Sequence, residues 1–456
     1  MTDPDPPEDP PDPGEDMEPD GEPDADAEDL FEIDPPPPAA WSRTFGSPNN
    51  TWGVSVVQTR DGDYVVLGRT TQPESTDEPA ALIRLDWNGN VLWQKLLGTD
   101  HLVWGSEVKE TADGGFVLAG ADFAVAGDAW VARLDENGNM LWQNVYMIYH
   151  PSAYAHDIRP LAGGGYIVTG DTGIYGMPVL SWLMRVDESG HQEWLKTYAG
   201  PGDLLVTAVI EAPGGGYVMA GAVMTSDVMN WAFWVARLDE EGNVLWQKAY
   251  DGPAFDRFDI GIASARGGGY VVAGETLSFG AGGWDVWVLR LDEDGAVLWQ
   301  RAYGTEGDEI PNAVIQSPDG TFVVCGYIVN EDGFVMKLDA SGSVLWQKIY
   351  GGEHSDALQD IAPTTDGGYA MTGWTASFDK SEPPVLETWV LKVDGNGDIS
   401  DACPPGMISA GVMTTTVTDA IVYSPDIRIE SQTPDVTEAD GAREEASLTA
   451  ETQCTL

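Results

Sequence analysis

The chain has 456 residues, with 22 Lys or Arg against 75 Asp or Glu, which gives a formal net charge of −53 at pH 7. This charge argues against nucleic acid as a partner, because affinity for phosphate backbones comes largely from Lys and Arg that displace counterions. A hydrophobic content of 42% with 54 Gly is typical of a globular protein, and no apolar run approaches the roughly 20 residues of a membrane-spanning helix.

The first segment, residues 1–40, contains sixteen Asp or Glu, no Lys or Arg and twelve Pro. Such a composition cannot bury enough apolar surface to offset the entropy of ordering, so we predict a disordered, extended spacer. The start of the sequence shows no signal-peptide pattern, since Asp3 and Asp5 follow Met1 with no basic or apolar region. Acidic, proline-rich spacers often tether exported domains, and we therefore expect an extracellular or cell-surface protein whose leader is not in this sequence.

The segment Trp41–Gly46 is the first that predicts a β-strand. Its aromatic residues have the same spacing as those of Trp299–Gly304, which lies at the end of a repeat. It therefore has the pattern of an outer strand, although no inner strands precede it.

An internal repeat, Asp-x-x-Gly-x-x-x-Trp, occurs six times in the body of the chain, and Asp394 begins a seventh copy without the Trp. Successive Asp residues are 47 to 55 positions apart, the interval typical of a four-stranded propeller blade. The six full copies begin at Asp86, Asp135, Asp187, Asp239, Asp292 and Asp339. We therefore predict an all-β fold, a seven-bladed β-propeller over residues 41–402.

Each repeat carries signals for four strands, here named a to d from the inside outward. A β-branched residue marks strand a, a Gly-Gly-Tyr-like motif begins strand b, an aromatic residue marks strand c, and the repeat Trp lies in strand d. The last repeat lacks only strand d, so we expect the N-terminal strand to complete the last blade and close the ring. The large Trp side chains are expected to wedge between neighbouring blades.

The Asp-x-x-Gly-x-x-x-Trp repeat resembles the tryptophan-docking motif of quinoprotein-type propellers. The whole region 41–402 is similar to the seven-repeat propellers of exported bacterial and archaeal proteins. This resemblance implies a repeat-built propeller on the outside of a cell, and a divergent quinoprotein is one of the activities that it leaves open.

Differences between the repeats are confined to the loops that join strands b and c. In a propeller these loops share a face with the crossings from strand d to the next strand a, around the mouth of the central channel. We call this the b–c loop face and expect any ligand-binding groups to lie there.

Three aspartates, Asp203, Asp256 and Asp308, occupy equivalent crossing positions in three successive blades. Converging carboxylates at the mouth could hold Ca²⁺, which takes six to eight oxygen ligands. The alternative is that these short polar side chains cap the crossing turns.

Two positions further along, four blades carry an aromatic residue: Trp52, Trp104, Tyr154 and Phe258. An aromatic platform of this kind could stack on sugar rings. The alternative is that these rings pack the top of the channel.

Two further acidic residues, Asp157 and Asp360, share one register of strand a and could line the channel as carboxylates. A glycosidase needs such a pair, but sequence does not give their separation. The five His residues show no metal-ligand spacing.

The C-terminal extension, residues 403–456, contains segments that suggest short additional strands. Cys403 and Cys454 lie near its two ends, and a disulfide between them would fit an oxidising location. A pair of free thiols is the alternative, and Cys325 in strand b is expected to be a buried, unreactive thiol.

Taken together, these features favour a non-catalytic, exported, monomeric propeller that binds a glycan, a protein or a cation on the b–c loop face. No cofactor is certain, and Ca²⁺ is the one that the aspartates suggest. The alternative is an enzyme of the same fold, either a polysaccharide hydrolase or lyase or a divergent quinoprotein, with carboxylates at the channel mouth.

Overall fold

A computed structural model gives the fold of most of the chain beyond the predicted spacer. Besides Met1, it describes residues 40–47, 50–70, 79–98, 103–123, 127–148, 152–173, 179–225, 230–379, 381 and 383–399 and six short C-terminal strands. The backbone alone is described for Thr225, for residues 257–260 and for the C-terminal strands. The predicted spacer, apart from Met1 and Ala40, lies outside the described residues and stays a prediction.

Strand pairing produces seven antiparallel sheets, one for each predicted repeat. We number the strands in chain order and the sheets as blades 1 to 7. Blade 1 contains β2 (Thr51–Gln58), β3 (Tyr64–Thr70), β4 (Ala80–Leu85) and β5 (Val91–Leu97); blade 2 contains β6 (Val103–Glu110), β7 (Phe116–Asp122), β8 (Asp128–Leu134) and β9 (Met140–Met147). Blade 3 contains β10 (Tyr154–Pro160), β11 (Tyr166–Thr172), β12 (Leu180–Val186) and β13 (Gln192–Ala199); blade 4 contains β14 (Leu204–Glu211), β15 (Tyr217–Thr225), β16 (Asn230–Leu238) and β17 (Val244–Asp251).

The remaining blades repeat this order. Blade 5 contains β18 (Asp256–Ser264), β19 (Tyr270–Thr276), β20 (Asp285–Leu291) and β21 (Val297–Gly304); blade 6 contains β22 (Glu309–Gln316), β23 (Phe322–Ile328), β24 (Gly333–Leu338) and β25 (Val344–Tyr350). Blade 7 contains β26 (Asp356–Pro363), β27 (Tyr369–Thr375), β28 (Glu387–Val393) and β1 (Trp41–Gly46). The predicted seven-bladed propeller is confirmed.

The first strand of each blade contacts the first strand of the next, from β2 and β6 round to β26 and β2. These seven strands therefore form the innermost ring. The ring is closed by β1, which pairs with β28 from Trp41↔Lys392 to Phe45↔Thr388. The indole Nε1 of Trp389 also donates to Ser42 Oγ at 2.9 Å. The predicted closure by the N-terminal strand is confirmed.

The Asp-x-x-Gly turns shape the contact between blades. In the first turn, Asp86 Oδ1 accepts hydrogen bonds from the N–H groups of Asn88 and Asn90, and Gly89 has φ of 78°. A Cβ at Gly89 would lie only 2.9 Å from the ring of Trp41, so both the φ angle and the close approach require glycine. The same contact recurs around the ring between Trp93 and Gly138, Trp142 and Gly190, Trp194 and Gly242, Trp246 and Gly295, Trp299 and Gly342, and Trp346 and Gly397. The repeat Trp therefore packs against the turn of the next blade, as predicted.

A c-strand aromatic lies in six of the seven hydrophobic clusters that the described residues form. The five Trp residues at this position are fully buried: Trp130, Trp182, Trp234, Trp287 and Trp389. Burial of such large rings supplies much of the hydrophobic stabilisation of the ring.

The strands of the C-terminal extension pair with the blades in a way that the sequence does not predict. Six short strands each pair, antiparallel, with the outer strand of a different blade, which gives six of the seven sheets a fifth strand. Their order is β29 (Ile408–Ala410) on blade 6, β30 (Thr414–Val417) on blade 5, β31 (Ile421–Tyr423) on blade 4, β32 (Arg428–Gln432) on blade 3, β33 (Asp435–Glu438) on blade 2 and β34 (Thr449–Cys454) on blade 7. Among the residues that the structure describes, no helix is long and apolar enough to span a membrane.

Candidate functional site

The central channel is lined by irregular strands. In all seven blades the pairing of strands a and b shifts register, which marks a β-bulge at the same place in each inner strand. Bulges re-aim side chains and are frequent beside functional sites. The residues that follow the bulge are Ser55, Glu107, Asp157, Ala208, Gly261, Ala313 and Asp360. Apart from Ser55, all of them line a channel cavity of about 310 Å³.

This register divides the channel into two unlike halves. Blades 7, 1, 2 and 3 carry polar or acidic residues after the bulge, whereas blades 4, 5 and 6 carry only Ala or Gly. Lys109 and Arg159, each two positions beyond the acidic residue of its own blade, add two cations to the polar half of the cavity. The sevenfold repeat is therefore broken at this level, and charge is concentrated on one side.

Asp360 joins blade 7 to blade 1. Its Oδ2 accepts hydrogen bonds from Ser55 Oγ at 3.1 Å and from the Val56 N–H at 2.9 Å, and its Oδ1 accepts one from the Ile361 N–H at 2.8 Å. Burial and the nearby Glu107 raise the pKa of Asp360 to about 6. The protonated form of this carboxyl group is therefore favoured to a higher pH than in an exposed Asp.

Asp157 makes the equivalent contact between blades 3 and 4 and is only 3% exposed. Its Oδ2 accepts from the Val209 N–H at 2.9 Å and from Arg159 Nε and Nη2 at 3.3 and 3.2 Å. Burial raises the pKa of Asp157, and the charge of Arg159 opposes that effect. The other oxygen, Oδ1, lies 3.1 Å from Arg159 Nε but accepts no hydrogen bond from the described residues.

Glu107 occupies the equivalent position in blade 2. Its buried Oε1 forms an ion pair with Lys109 Nζ. Next to it in the channel, His156 Nε2 is 2.6 Å from Asp171 Oδ2. Sequence reasoning singled out Asp157 and Asp360 but missed Glu107, although its position relative to the β-branched residue of strand a is the same.

An aromatic cluster lies beside this polar half. The ring centroids of Trp104 and Phe123 are 4.7 Å apart, and those of Phe123 and Tyr154 are 5.6 Å apart. The guanidinium of Arg69 lies 5.2 Å from the Trp104 ring centroid and also lines the channel cavity, so the cluster adjoins the channel mouth. Trp104 Nε1 is buried and donates no hydrogen bond to a described residue. We call Trp104, Phe123 and Tyr154 the mouth cluster.

The structure brings together two of the four predicted platform residues, Trp104 and Tyr154. Phe123, which bridges them, was missed because it lies just after β7 in a loop that differs from blade to blade. Trp52 is half-buried on β2 and makes no ring contact with the mouth cluster. The side chain of Phe258 lies outside the described residues.

The three predicted metal ligands each hold a loop of their own. Asp203 Oδ1 accepts from the Val179 N–H at 2.9 Å, and Asp308 Oδ1 accepts from the Trp284 N–H at 2.8 Å. Asp256 is fully buried and accepts from the Gly252 N–H at 2.6 Å and from two hydroxyl groups. These contacts support the turn-capping alternative. No group of three or more His, Cys, Asp or Glu that could hold a metal ion occurs among the described side chains, so the calcium prediction gains no support.

The described residues do not test the predicted disulfide between Cys403 and Cys454. Cys403 lies outside the described residues, and only the backbone of Cys454 is described, in β34. Cys325 is buried on β23 as a free thiol, as predicted, and burial raises its pKa well above the usual value.

Comparisons with known proteins give remote structural similarity only. No family model matches the chain, and a search of curated proteins found no match. The chain is similar to an α-L-arabinanase of Penicillium chrysogenum complexed with arabinobiose, at 11% identity over 78% of this chain and 99% of that one, with a TM-score of 0.42. It is also similar to Sqt1 of Chaetomium thermophilum bound to the N-terminus of ribosomal protein L10, at 11% identity over 77% and 98% of the two chains, with a TM-score of 0.45.

A third similar structure is the periplasmic gluconolactonase PpgL of Pseudomonas aeruginosa, at 15% identity over 67% of this chain and 87% of that one, with a TM-score of 0.42. At these identities and scores the similarities carry no argument about activity. The propeller assignment rests on the strand pairing itself, and the resemblance to quinoprotein-type propellers is not confirmed.

Proposed function

We propose that the protein is a non-catalytic, exported or surface-associated binding module that holds a neutral glycan on its b–c loop face. The observation that carries this proposal is the mouth cluster, in which three aromatic rings and a guanidinium stand at the edge of a polar channel. Aromatic faces pack against the apolar faces of sugar rings, and neighbouring polar groups fix the orientation of the ligand.

The charge of the molecule favours a neutral ligand over an acidic one. With a net charge of −53, the chain repels anionic polysaccharides as it repels nucleic acid. Two of the cations that line the channel are next to an acidic residue, Lys109 beside Glu107 and Arg159 beside Asp157. The third, Arg69, lies over the Trp104 ring. The two ion pairs reduce the attraction of the channel for an anion.

Isothermal titration calorimetry with four neutral probes, namely maltohexaose, cellohexaose, xylohexaose and arabinohexaose, tests the proposal. We expect at least one to bind, and we expect Trp104→Ala and Tyr154→Ala each to weaken that binding at least tenfold, which corresponds to about 1.4 kcal/mol. Trp87→Ala is the matched control, because Trp87 is 38% exposed in a strand c to d turn on the opposite face. Absence of heat with all four probes, or equal loss in the control, would refute glycan binding at the mouth cluster.

Catalysis is the second candidate, and one observation favours it. Asp360 is a channel carboxyl whose pKa of about 6 suits a general acid, and Asp157 occupies the same register in blade 3. Reducing-sugar release from the same four hexaoses distinguishes the two functions. Turnover that is abolished by Asp360→Asn would replace the binding module with a glycoside-cleaving enzyme.

A further inference from the structure

We infer that the channel beneath the mouth cluster is a separate subsite, which takes one neutral polyhydroxylated residue, such as the terminal sugar of a chain held by the mouth cluster. The inference rests on the proposed glycan binding and deepens it, because it assigns an end-on mode of binding. It is carried by the size of the channel, by the paired acceptors and donors in its wall and by the continuity of the two sites.

The size of the channel cavity limits the ligand. Its volume of about 310 Å³ is at the lower end of the roughly 300–1,000 Å³ typical of small-molecule sites. All seven inner strands contribute to its wall, so the ligand would be surrounded by the ring. Blades 4 to 6 present Ala208, Gly261 and Ala313 at the position after the bulge. That half of the wall is completed by Thr207, Ile262, Asn312, Val314 and Ile315, so it is uncharged.

The charged groups of the cavity wall identify the chemistry of the ligand. Two carboxylates of the wall each contact the cation of their own strand: Glu107 Oε1 contacts Lys109 Nζ, and Asp157 Oδ1 lies 3.1 Å from Arg159 Nε. An ammonium group supplies donors only and a carboxylate supplies acceptors only. A hydroxyl group supplies both, and a polyol therefore matches a wall that holds acceptors and donors side by side.

Neighbouring hydroxyls also match the alternation of charge in the wall. Glu107 stands beside Lys109, and Asp157 stands beside Arg159, so acceptor and donor groups alternate along two adjacent strands. Vicinal hydroxyls can donate to each carboxylate and accept from each cation at once. The two ion pairs then bind a neutral ligand without a change in net charge.

The channel subsite and the mouth cluster are continuous through two residues. Arg69 lines the cavity and lies over the ring of Trp104. Tyr154 lies two positions before His156 on β10, and His156 lines the cavity. A sugar chain that stacks on the mouth cluster can therefore continue into the channel with its terminal residue.

Channel variants test this inference separately from the proposed function. Glu107→Gln and Asp157→Asn keep the shape of each side chain. We expect each variant to bind the wild type's hexaose ligand at least tenfold more weakly than the wild type does. The matched control is Glu136→Gln, since Glu136 is exposed in a strand c to d turn. Far-UV circular dichroism and the urea midpoint of each unliganded variant show whether it is folded. If Asp157→Asn does not fold, Glu107→Gln alone tests the inference.

The monosaccharides glucose, xylose and arabinose provide the second arm. We expect the monosaccharide from which the bound hexaose is built to compete with that hexaose for the wild type. We expect this monosaccharide not to compete for Glu107→Gln. Hexaose binding that Trp104→Ala abolishes but both channel variants leave unchanged would overturn the channel subsite while the proposed function stands. If no hexaose binds, saturation-transfer NMR with the three monosaccharides decides alone: a signal that Glu107→Gln abolishes supports the subsite, and any other result overturns it.

Discussion

Trp41→Ala tests the closure of the ring. Trp41 is fully buried at the seam between blades 7 and 1, its Nε1 donates to the Trp87 carbonyl at 3.2 Å, and its ring meets that of Tyr64 edge-on at 5.7 Å. Truncation of a buried Trp to Ala removes this packing and leaves a cavity, at a cost of about 3–5 kcal/mol. The unpaired Trp87 carbonyl adds to that cost. We therefore expect the free energy of unfolding to fall by the upper part of that range.

Equilibrium unfolding in urea, followed by both far-UV circular dichroism and Trp fluorescence, measures the change. Coincidence of the two transitions would establish that a single free energy describes each variant. Trp87→Ala is the control, because it removes the same side chain from a site that is 38% exposed and should change stability by no more than about 0.5 kcal/mol. Equal stability of the two variants would show that the seam does not depend on the N-terminal strand.

Three further predictions concern other parts of the ring. Burial and the charge of Asp356 raise the pKa of Asp332 from 3.8 to about 7, so the folded chain holds this proton more tightly than the unfolded chain. The free energy of unfolding should therefore decrease as pH rises from about 4 to about 7, and Asp332→Asn should flatten that slope in urea titrations. Tyr250→Phe removes the 2.7 Å hydrogen bond from the Tyr250 hydroxyl to the Gly295 carbonyl and should lower the urea-derived free energy of unfolding by about 1 kcal/mol. Of the three cysteines, Cys325 should react with Ellman's reagent only after unfolding, and a native thiol count of zero rather than two would support the Cys403–Cys454 disulfide.

Sequence alone was sufficient for the ring because its determinants are local and repeated. Each turn needs Asp to accept backbone hydrogen bonds and Gly to adopt positive φ beside a Trp. The same residue types therefore recur at these positions in every blade. The closing strand was predictable for the same reason, since Trp41 occupies the position of the repeat Trp. The pairing of the C-terminal strands with the outer strands of the blades was not, because it uses backbone groups and the extension carries no repeated side-chain pattern.

The candidate site was only partly predictable. Asp203, Asp256 and Asp308 occupy equivalent positions in the repeat, but equivalent crossing positions lie around the ring, and each carboxylate instead binds local N–H groups. Strand a is different, because equivalent positions after the bulge face a common axis. The mouth cluster depends on Phe123, a residue of one variable loop that no periodicity reveals.

The break in symmetry along strand a is the strongest reason to place function in the channel. A position needed only for the stability of the ring should carry the same kind of residue in every blade, as the turn glycines do. After the bulge, blades 4 to 6 carry Ala208, Gly261 and Ala313, which shows that an inner strand pairs and closes without a charged residue there. Buried ion pairs are often no more stabilising than apolar side chains, because desolvation offsets their attraction. Asp157 and Asp360 hydrogen-bond to the next blade, whereas Glu107 contacts Lys109 of its own strand. Glu107 is therefore the acidic residue for which a proposed role in binding has most support.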